Sequence, residues 1–82
     1  MATNTLRKTL RSRGNKILIE LLVSARQHAG LTQRDLAETL KRPHSFIGRI
    51  EAGERRVDVI AFIEIARVLG ADAHAILERL IK

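Results

Sequence analysis

The chain has 82 residues and a mass of 9.2 kDa, enough for one small domain and too little for a deep catalytic cavity. It contains no cysteine, which excludes disulfide bonds, thiolate metal ligands and a cysteine nucleophile and suits the reducing cytoplasm. The longest apolar run, residues 17–23, is interrupted by Glu20 and is too short for a membrane helix of ~20 residues. Residues 1–16 lack the apolar centre of a secretory signal.

The positive charge is concentrated near the N-terminus. Fifteen basic and nine acidic residues give a net charge of +6, of which +5 lies on Arg7, Lys8, Arg11, Arg13 and Lys16. We therefore expect residues 1–15 to form a flexible basic arm and residues 16–82 the folded domain. The arm favours a polyanionic partner, with nucleic acid ahead of an anionic membrane, although a solvated tail without a partner fits the same composition.

The first predicted helix follows this arm. Strand signals are weak, because the chain has two phenylalanines and neither tryptophan nor tyrosine. Leu18, Leu21, Leu22 and Ala25 follow the i, i+3, i+4, i+7 spacing of a helix with one buried face. Gly30 stands where a left-handed residue would end that helix.

The second and third predicted helices are short. Thr32 is the expected N-cap of the second helix, with Asp35 completing a capping box. Pro43 presets the first turn of the third helix, and Gly53 follows its end. The side chains expected to fill the core between these helices are Leu36, Ala37, Leu40, Ile47 and Ile50.

Two further helices complete the predicted fold. Asp58 and Asp72 are their expected N-caps, and Gly70 separates them. The side chains expected to face the core are Ile60, Ile63, Ala66 and Leu69 in the fourth helix, and Ile76, Leu77 and Leu80 in the fifth. Five short helices with short connections predict a compact all-α domain.

The connection between the second and third helices is the most informative one. Only Lys41 and Arg42 lie between the two predicted segments, so the helices cannot run antiparallel side by side and must cross at a steep angle. A tight two-helix corner of this kind is a helix-turn-helix.

Three stretches of the sequence resemble the phage Cro and repressor type helix-turn-helix domains, also called the xenobiotic response element family. They are LTQRDLAETL at 31–40, PHSFIGRIEAG at 43–53 and IARVLG at 65–70, and the resemblance extends over residues 17–80. It implies a five-helix bundle of the lambda-repressor-like type with a central helix-turn-helix. It also implies binding to double-stranded DNA, with the third helix as the recognition helix.

The outer face of the third helix carries the candidate base-reading residues. On a helical wheel Ser45 and Arg49 lie opposite the buried side, and the resemblance implies that His44, Ser45 and Arg49 read base edges. Arg49 can donate to guanine O6 and N7 with ~1–3 kcal/mol of discrimination, whereas Ser45 suits donors and acceptors alike. His44 stands where the family often carries glutamine. Three roles are therefore possible for it: contact with guanine N7, contact with a phosphate, or no DNA contact. Phe46 has two possible packing partners: a thymine methyl group of the DNA, or the loop before the fourth helix.

Phosphate contacts are expected around the corner. The resemblance implies that Gln33 binds a DNA phosphate, aided by the free amides at the start of the second helix. Five basic residues bracket the corner as further phosphate contacts: Arg34, Lys41, Arg42, Arg55 and Arg56. Each of these six residues alone also fits an ordinary surface role.

Glu51 has a different predicted role. It falls beside the inward-facing Ile47 and Ile50, where an unpaired carboxylate is costly. The resemblance pairs it with Arg26 of the first helix, so we predict a structural salt bridge between these two side chains.

Three residues depart from the family pattern. Lys41 replaces the usual glycine of the turn, so either it adopts a positive φ or the turn takes another shape. Arg42 replaces an aliphatic residue, whose place its stem can imitate. Gly48 costs the third helix about 1 kcal/mol relative to alanine, and is either a point of close approach to the DNA backbone or simply tolerated.

These observations favour a sequence-specific regulator of transcription that binds double-stranded DNA, with repression by operator occlusion, since the chain has no room for an effector domain. We expect a cytoplasmic homodimer, with its interface on the C-terminal helix through Ile76, Leu80 and Ile81. No cofactor, metal, membrane or small-molecule effector is expected. The alternative is an antitoxin-like or accessory protein-interaction module on the same fold. An enzyme is not expected, because the three histidines are scattered and no nucleophile has a spaced base.

Overall fold

The computed structural model describes residues 12–82. They form five helices: α1 (Arg13–His28), α2 (Gln33–Thr39), α3 (Ser45–Glu51), α4 (Val59–Leu69) and α5 (Ala73–Ile81). Within these residues there is no strand, so the predicted all-α class is confirmed. Because α1 begins at Arg13, residues 13–15 are helical rather than part of the arm. The arm's other cations, Arg7, Lys8 and Arg11, lie outside the described residues.

Side chains cap the N-termini of four helices. Ser12, Thr32, Asp58 and Asp72 each accept a hydrogen bond from the backbone N–H three residues further on. At α2 the capping box is complete, because the Asp35 carboxylate also accepts a hydrogen bond from the Thr32 N–H at 3.0 Å. This hydrogen bond lowers the pKa of Asp35 below its ordinary value. Each cap satisfies a backbone N–H group that has no partner within its helix, and so fixes the residue at which the helix begins.

The turn after α2 has the same hydrogen bonds as the helix ends that carry glycine. The N–H groups of Lys41 and Arg42 donate to the carbonyls of Glu38 and Ala37 at 3.0 and 2.9 Å, which is a Schellman motif. Gly30, Gly53 and Gly70 hold the left-handed position elsewhere, whereas here Lys41 holds it with a φ of 57°. Of the two conformations predicted for this turn, the one with a positive φ at Lys41 is therefore observed.

One buried cluster joins all five helices. It contains Leu36, Ala37, Ile47 and Ile50 of the core predicted for α2 and α3, together with Leu22 of α1 and Ile76 of α5. The fifth predicted residue, Leu40, is only half-buried and packs against the cluster. Ala37 has no exposed surface, because α2 and α3 pack directly against each other. A larger side chain at this position would separate the two helices.

The predicted inner face of α4 is partly wrong. Ile60 and Ile63 remain 66% and 38% exposed, and the buried side chains are Ala61, Phe62, Ile65 and Ala66. The run is apolar on more than one face, so helical spacing alone does not select the buried one. In α5, Ile76 is buried as expected and Leu80 half-buried, but Leu77 is exposed.

Candidate nucleic-acid interface

A largely buried polar network fixes the C-terminal end of α3. The Nε and Nη2 atoms of Arg26 donate to the two carboxylate oxygens of Glu51 at 2.7 and 3.0 Å, and Nη1 donates to the Leu31 carbonyl at 2.8 Å. The predicted salt bridge is therefore present, and its side chains are only 12% and 10% exposed. Because Arg26 belongs to α1 and Leu31 precedes α2, the network ties α3 to both helices at once.

Gln33 joins this network from the first turn of α2. Its Nε2 donates to Glu51 Oε1 at 2.8 Å, and its Oε1 lies over Gly48, where an added Cβ would come within 3.2 Å. Gly48 thus makes room for Gln33, a role that the sequence did not reveal. Gln33 is still exposed and keeps a second amide hydrogen that can be donated to a ligand.

The outer face of α3 is open. Ser45 and Arg49 are exposed, and within residues 12–82 the Arg49 side chain makes neither a hydrogen bond nor an ion pair. Its guanidinium group therefore has its full set of donors available to a ligand. The buried Ile47 and Ile50 on the opposite side hold this face outward.

His44 lies at the N-terminal end of α3 between two side chains of α2. Arg34 Nε donates to His44 Nδ1 at 3.3 Å, and His44 Nε2 lies 3.2 Å from Glu38 Oε2. Since Nδ1 accepts, the proton of the neutral ring belongs on Nε2, where it is donated to Glu38. The side chains of His44 and Glu38 are about half exposed, so a ligand can compete for both.

Phe46 is buried rather than free to contact a base. It is 7% exposed, and the guanidinium carbons of Arg42 and Arg55 lie 5.0 and 4.9 Å from the centre of its ring. Arg42 also lies 3.6 Å from Glu64 of α4. Of the two positions predicted for Phe46, packing against the loop before α4 is the observed one.

Lys41 and Arg56 are the two predicted phosphate contacts that remain, and they lie in different surroundings. Lys41 is exposed at the turn. Arg56 lines a surface groove of about 240 Å³ with Ser12, Leu18 and Leu80, on the side of the loop next to α1 and α5.

Glu38 and Glu64 are acidic partners that were not predicted from the sequence. The i, i+4 spacing of Arg34 and Glu38 on α2 was a usable signal, since it places both on one helix face. Glu64 pairs with Arg42 across the fold, and no local pattern indicates that contact.

This arrangement has the chemistry of anion and base-edge recognition. Guanidinium groups, an amide, a hydroxyl and an imidazole N–H surround one short helix, and all of them donate hydrogen bonds. Within the described residues no three histidine or acidic side chains come together as a metal site. The same residues include no helix with the length and apolar character needed to cross a membrane.

Comparisons with known proteins agree with this geometry. Residues 18–78 match a family model described as a helix-turn-helix domain. The fold is similar to the solved structure of an XRE-family like protein from Pseudomonas syringae pv. tomato str. DC3000, with a TM-score of 0.80, 43% identity and 90% of each chain covered. A search of curated protein sequences gave no match. The chain therefore belongs to the helix-turn-helix family of the XRE and Cro type, a class of DNA-binding regulators, and the predicted resemblance is confirmed.

Proposed function

We propose that the protein binds a specific sequence of double-stranded DNA as a symmetric dimer and represses transcription by occluding its operator. The observation that carries this proposal is the open outer face of α3, where the exposed Arg49 side chain has no partner within residues 12–82 and Ser45 is exposed. A helix held outward by a buried apolar face and a fixed polar network is preorganised for insertion into the major groove.

The contacts divide by role. Arg49 donates to guanine O6 and N7, and Ser45 contacts a neighbouring base edge. His44 presents an Nε2–H donor, which favours an acceptor such as guanine N7 or a phosphate oxygen over a base amino group. Gln33 and five basic residues contact phosphates: Arg34, Lys41, Arg42, Arg55 and Arg56.

Dimerisation doubles the few base contacts that one corner makes, with half-sites about 34 Å apart. The interface first predicted on α5 needs revision, because Ile76 is 8% exposed and belongs to the core. Within residues 12–82, the large apolar side chains left exposed are Val59, Ile60 and Ile63 on α4, and Leu77 and Ile81 on α5. We expect the dimer interface to be formed by side chains from this exposed set.

Selection from a pool of random duplexes, followed by sequencing, tests the proposal. Wild-type protein is expected to enrich a palindromic motif. Arg49→Ala is expected to lose ~1–3 kcal/mol of discrimination at one position in each half-site, while Arg67→Ala, an exposed arginine in the last turn of α4, serves as the matched control and enriches the wild-type motif.

The outcomes separate the parts of the proposal. Enrichment of no motif contradicts sequence-specific binding and favours the protein-interaction module. A motif without two-fold symmetry contradicts the dimer alone. An unchanged motif with Arg49→Ala contradicts the assignment of that residue. With about six phosphate contacts in each protomer, affinity is expected to fall steeply between about 50 and 200 mM salt.

A further inference from the structure

Two arginines from different loops each place a guanidinium group over the ring of Phe46. Arg42 precedes α3 and Arg55 follows it, and their guanidinium carbons lie 5.0 and 4.9 Å from the ring centre. The two carbons are therefore within about 10 Å of each other. Phe46 itself is buried and its position is fixed by the core cluster to which it belongs.

An aromatic ring at this place orders cations without neutralising them. The face of the ring attracts a guanidinium group, and the N–H donors around the edge of that group stay available for phosphate oxygens. A carboxylate partner would instead compete with the phosphate for the same donors. Arg55 has no ion pair within residues 12–82, and the pair of Arg42 with Glu64 is loose, at 3.6 Å and with both side chains exposed.

The spacing of the two arginines suits one DNA strand. Successive phosphates of a strand follow each other with ~3.4 Å of rise along the helix axis, so two cations within about 10 Å can contact one short stretch of backbone. Holding both side chains in place before binding lowers the entropy that binding must remove.

We propose that Phe46 is a positioning residue for phosphate recognition, whose ring holds Arg42 and Arg55 as a two-guanidinium clamp on one DNA strand. The inference rests on the proposed function, because it concerns how the same interface contacts DNA. It assigns to a buried side chain an effect on DNA affinity, and it makes the two arginines one unit rather than two independent surface charges.

A double-mutant cycle tests the clamp. The probe is a fluorescent duplex of about 20 base pairs and fixed mixed sequence, roughly two helical turns, titrated from about 50 to 200 mM salt. Phe46→Leu keeps an apolar side chain and removes the ring; it is expected to weaken binding about 3- to 10-fold in the wild-type background. In a background carrying Arg42→Met and Arg55→Met, which keeps apolar stems and removes the charges, the same change is expected to cost less than about 2-fold.

Controls separate positioning from folding. Arg42→Met and Arg55→Met are each expected to lower the magnitude of the salt slope by about 1. Phe62→Leu alters another buried phenylalanine, one without a guanidinium over its ring among the described residues. It is expected to lower the melting temperature and leave the affinity of the folded protein unchanged. Phe46→Tyr keeps the ring and is expected to bind within about 2-fold of wild type.

Each outcome decides between the two proposals. An equal loss from Phe46→Leu in both backgrounds, or no loss in either, overturns the clamp and leaves DNA binding intact. Failure of the wild-type protein to bind any duplex overturns the proposed function first. Should Phe46→Leu not fold, the Nε–H nuclear magnetic resonance signals of Arg42 and Arg55 in the wild-type protein provide the second measurement. Both are expected to lie upfield of the signal of the exposed Arg67, because each guanidinium group faces the Phe46 ring, and to shift when duplex is added. Signals without the upfield displacement, or unchanged by duplex, overturn the clamp.

Discussion

The two ends of α3 are held by polar clusters of opposite character. At the C-terminal end, Arg26 and Glu51 are largely buried and bonded through two short contacts, with Gln33 added to the same carboxylate. At the N-terminal end, His44 lies between Arg34 and Glu38 through longer contacts that solvent reaches. The first cluster sets the direction of the helix, and the second leaves its donors exchangeable. A recognition helix needs both, because its direction must be fixed while its contacts remain available to DNA.

Removing one carboxylate from each cluster gives the largest expected difference. Glu51→Ala leaves the Arg26 guanidinium buried without its partner and is expected to lower the free energy of unfolding by about 3 kcal/mol. Glu38→Ala removes an exposed carboxylate and is expected to cost less than ~1 kcal/mol. Urea unfolding of the two variants measures both effects. Similar losses for both would contradict the division between a structural and an exchangeable end.

Lys41 offers a second test of the N-terminal side. It holds a left-handed conformation with a φ of 57°, which costs a residue with a side chain ~1 kcal/mol. Lys41→Gly is therefore expected to raise the free energy of unfolding by about 0.5–1 kcal/mol and to weaken DNA binding through the lost charge. The matched control is Gly30→Ala at the end of α1, where an added Cβ meets no atom within 4 Å and only the backbone strain remains. Gly30→Ala is expected to lower the free energy of unfolding by about 1 kcal/mol. A Lys41→Gly protein that is less stable than wild type would refute the account of this turn.

Gly48 provides a test of the C-terminal cluster, because it lies under Gln33, whose side chain donates to Glu51. Alanine at a helix position normally adds up to about 1 kcal/mol over glycine, but here its Cβ would come within 3.2 Å of Gln33 Oε1. Displacing Gln33 breaks its bond to Glu51, so the net change is expected to stay within about 0.5 kcal/mol. Gly14→Ala in α1 is the control, because nothing lies within 4 Å of the added Cβ and no contact opposes the stabilisation of the helix by alanine. Equal stabilisation by both substitutions, measured by thermal unfolding, would show that Gln33 is not held over Gly48.

The smallest expected effect concerns acid. Hydrogen bonds from Thr32 lower the pKa of Asp35 in the folded protein. Between the lowered pKa and the ordinary one, the unfolded chain therefore binds more protons than the folded protein, and stability falls as the pH decreases. The contribution is present above the ordinary pKa of 3.8 and is lost as the pH falls through the lower folded value. Asp35→Asn is thus expected to melt below wild type near neutral pH and to converge with it in acid. A difference that widens on acidification would contradict this sign.

The sequence predicted the local features of the fold well and its long-range contacts less well. The caps at Thr32, Asp58 and Asp72 and the glycine helix ends follow from residue chemistry within a few positions. The buried face of α4 does not, because Ile60 and Ile63 compete with Phe62 and Ile65 in one apolar run and packing partners decide between them.

The same distinction applies to the candidate interface. Arg49 and Ser45 were placed correctly on the outer face by helical spacing alone. The contacts that organise their surroundings join residues from different helices and loops. Arg42 and Arg55 each lie over the ring of Phe46, and Gln33 lies over Gly48. Such contacts depend on the tertiary arrangement, which no local pattern encodes.

Guanine methylation on the selected duplex is the most direct test of the claim that α3 reads the major groove through Arg49. Guanine N7 lies in the major groove and adenine N3 in the minor groove, so dimethyl sulfate distinguishes the two. Wild-type protein is expected to protect guanine N7 in each half-site, and Arg49→Ala to restore the reactivity of one guanine per half-site. Reactive guanine N7 atoms beside protected adenine N3 atoms would contradict the account.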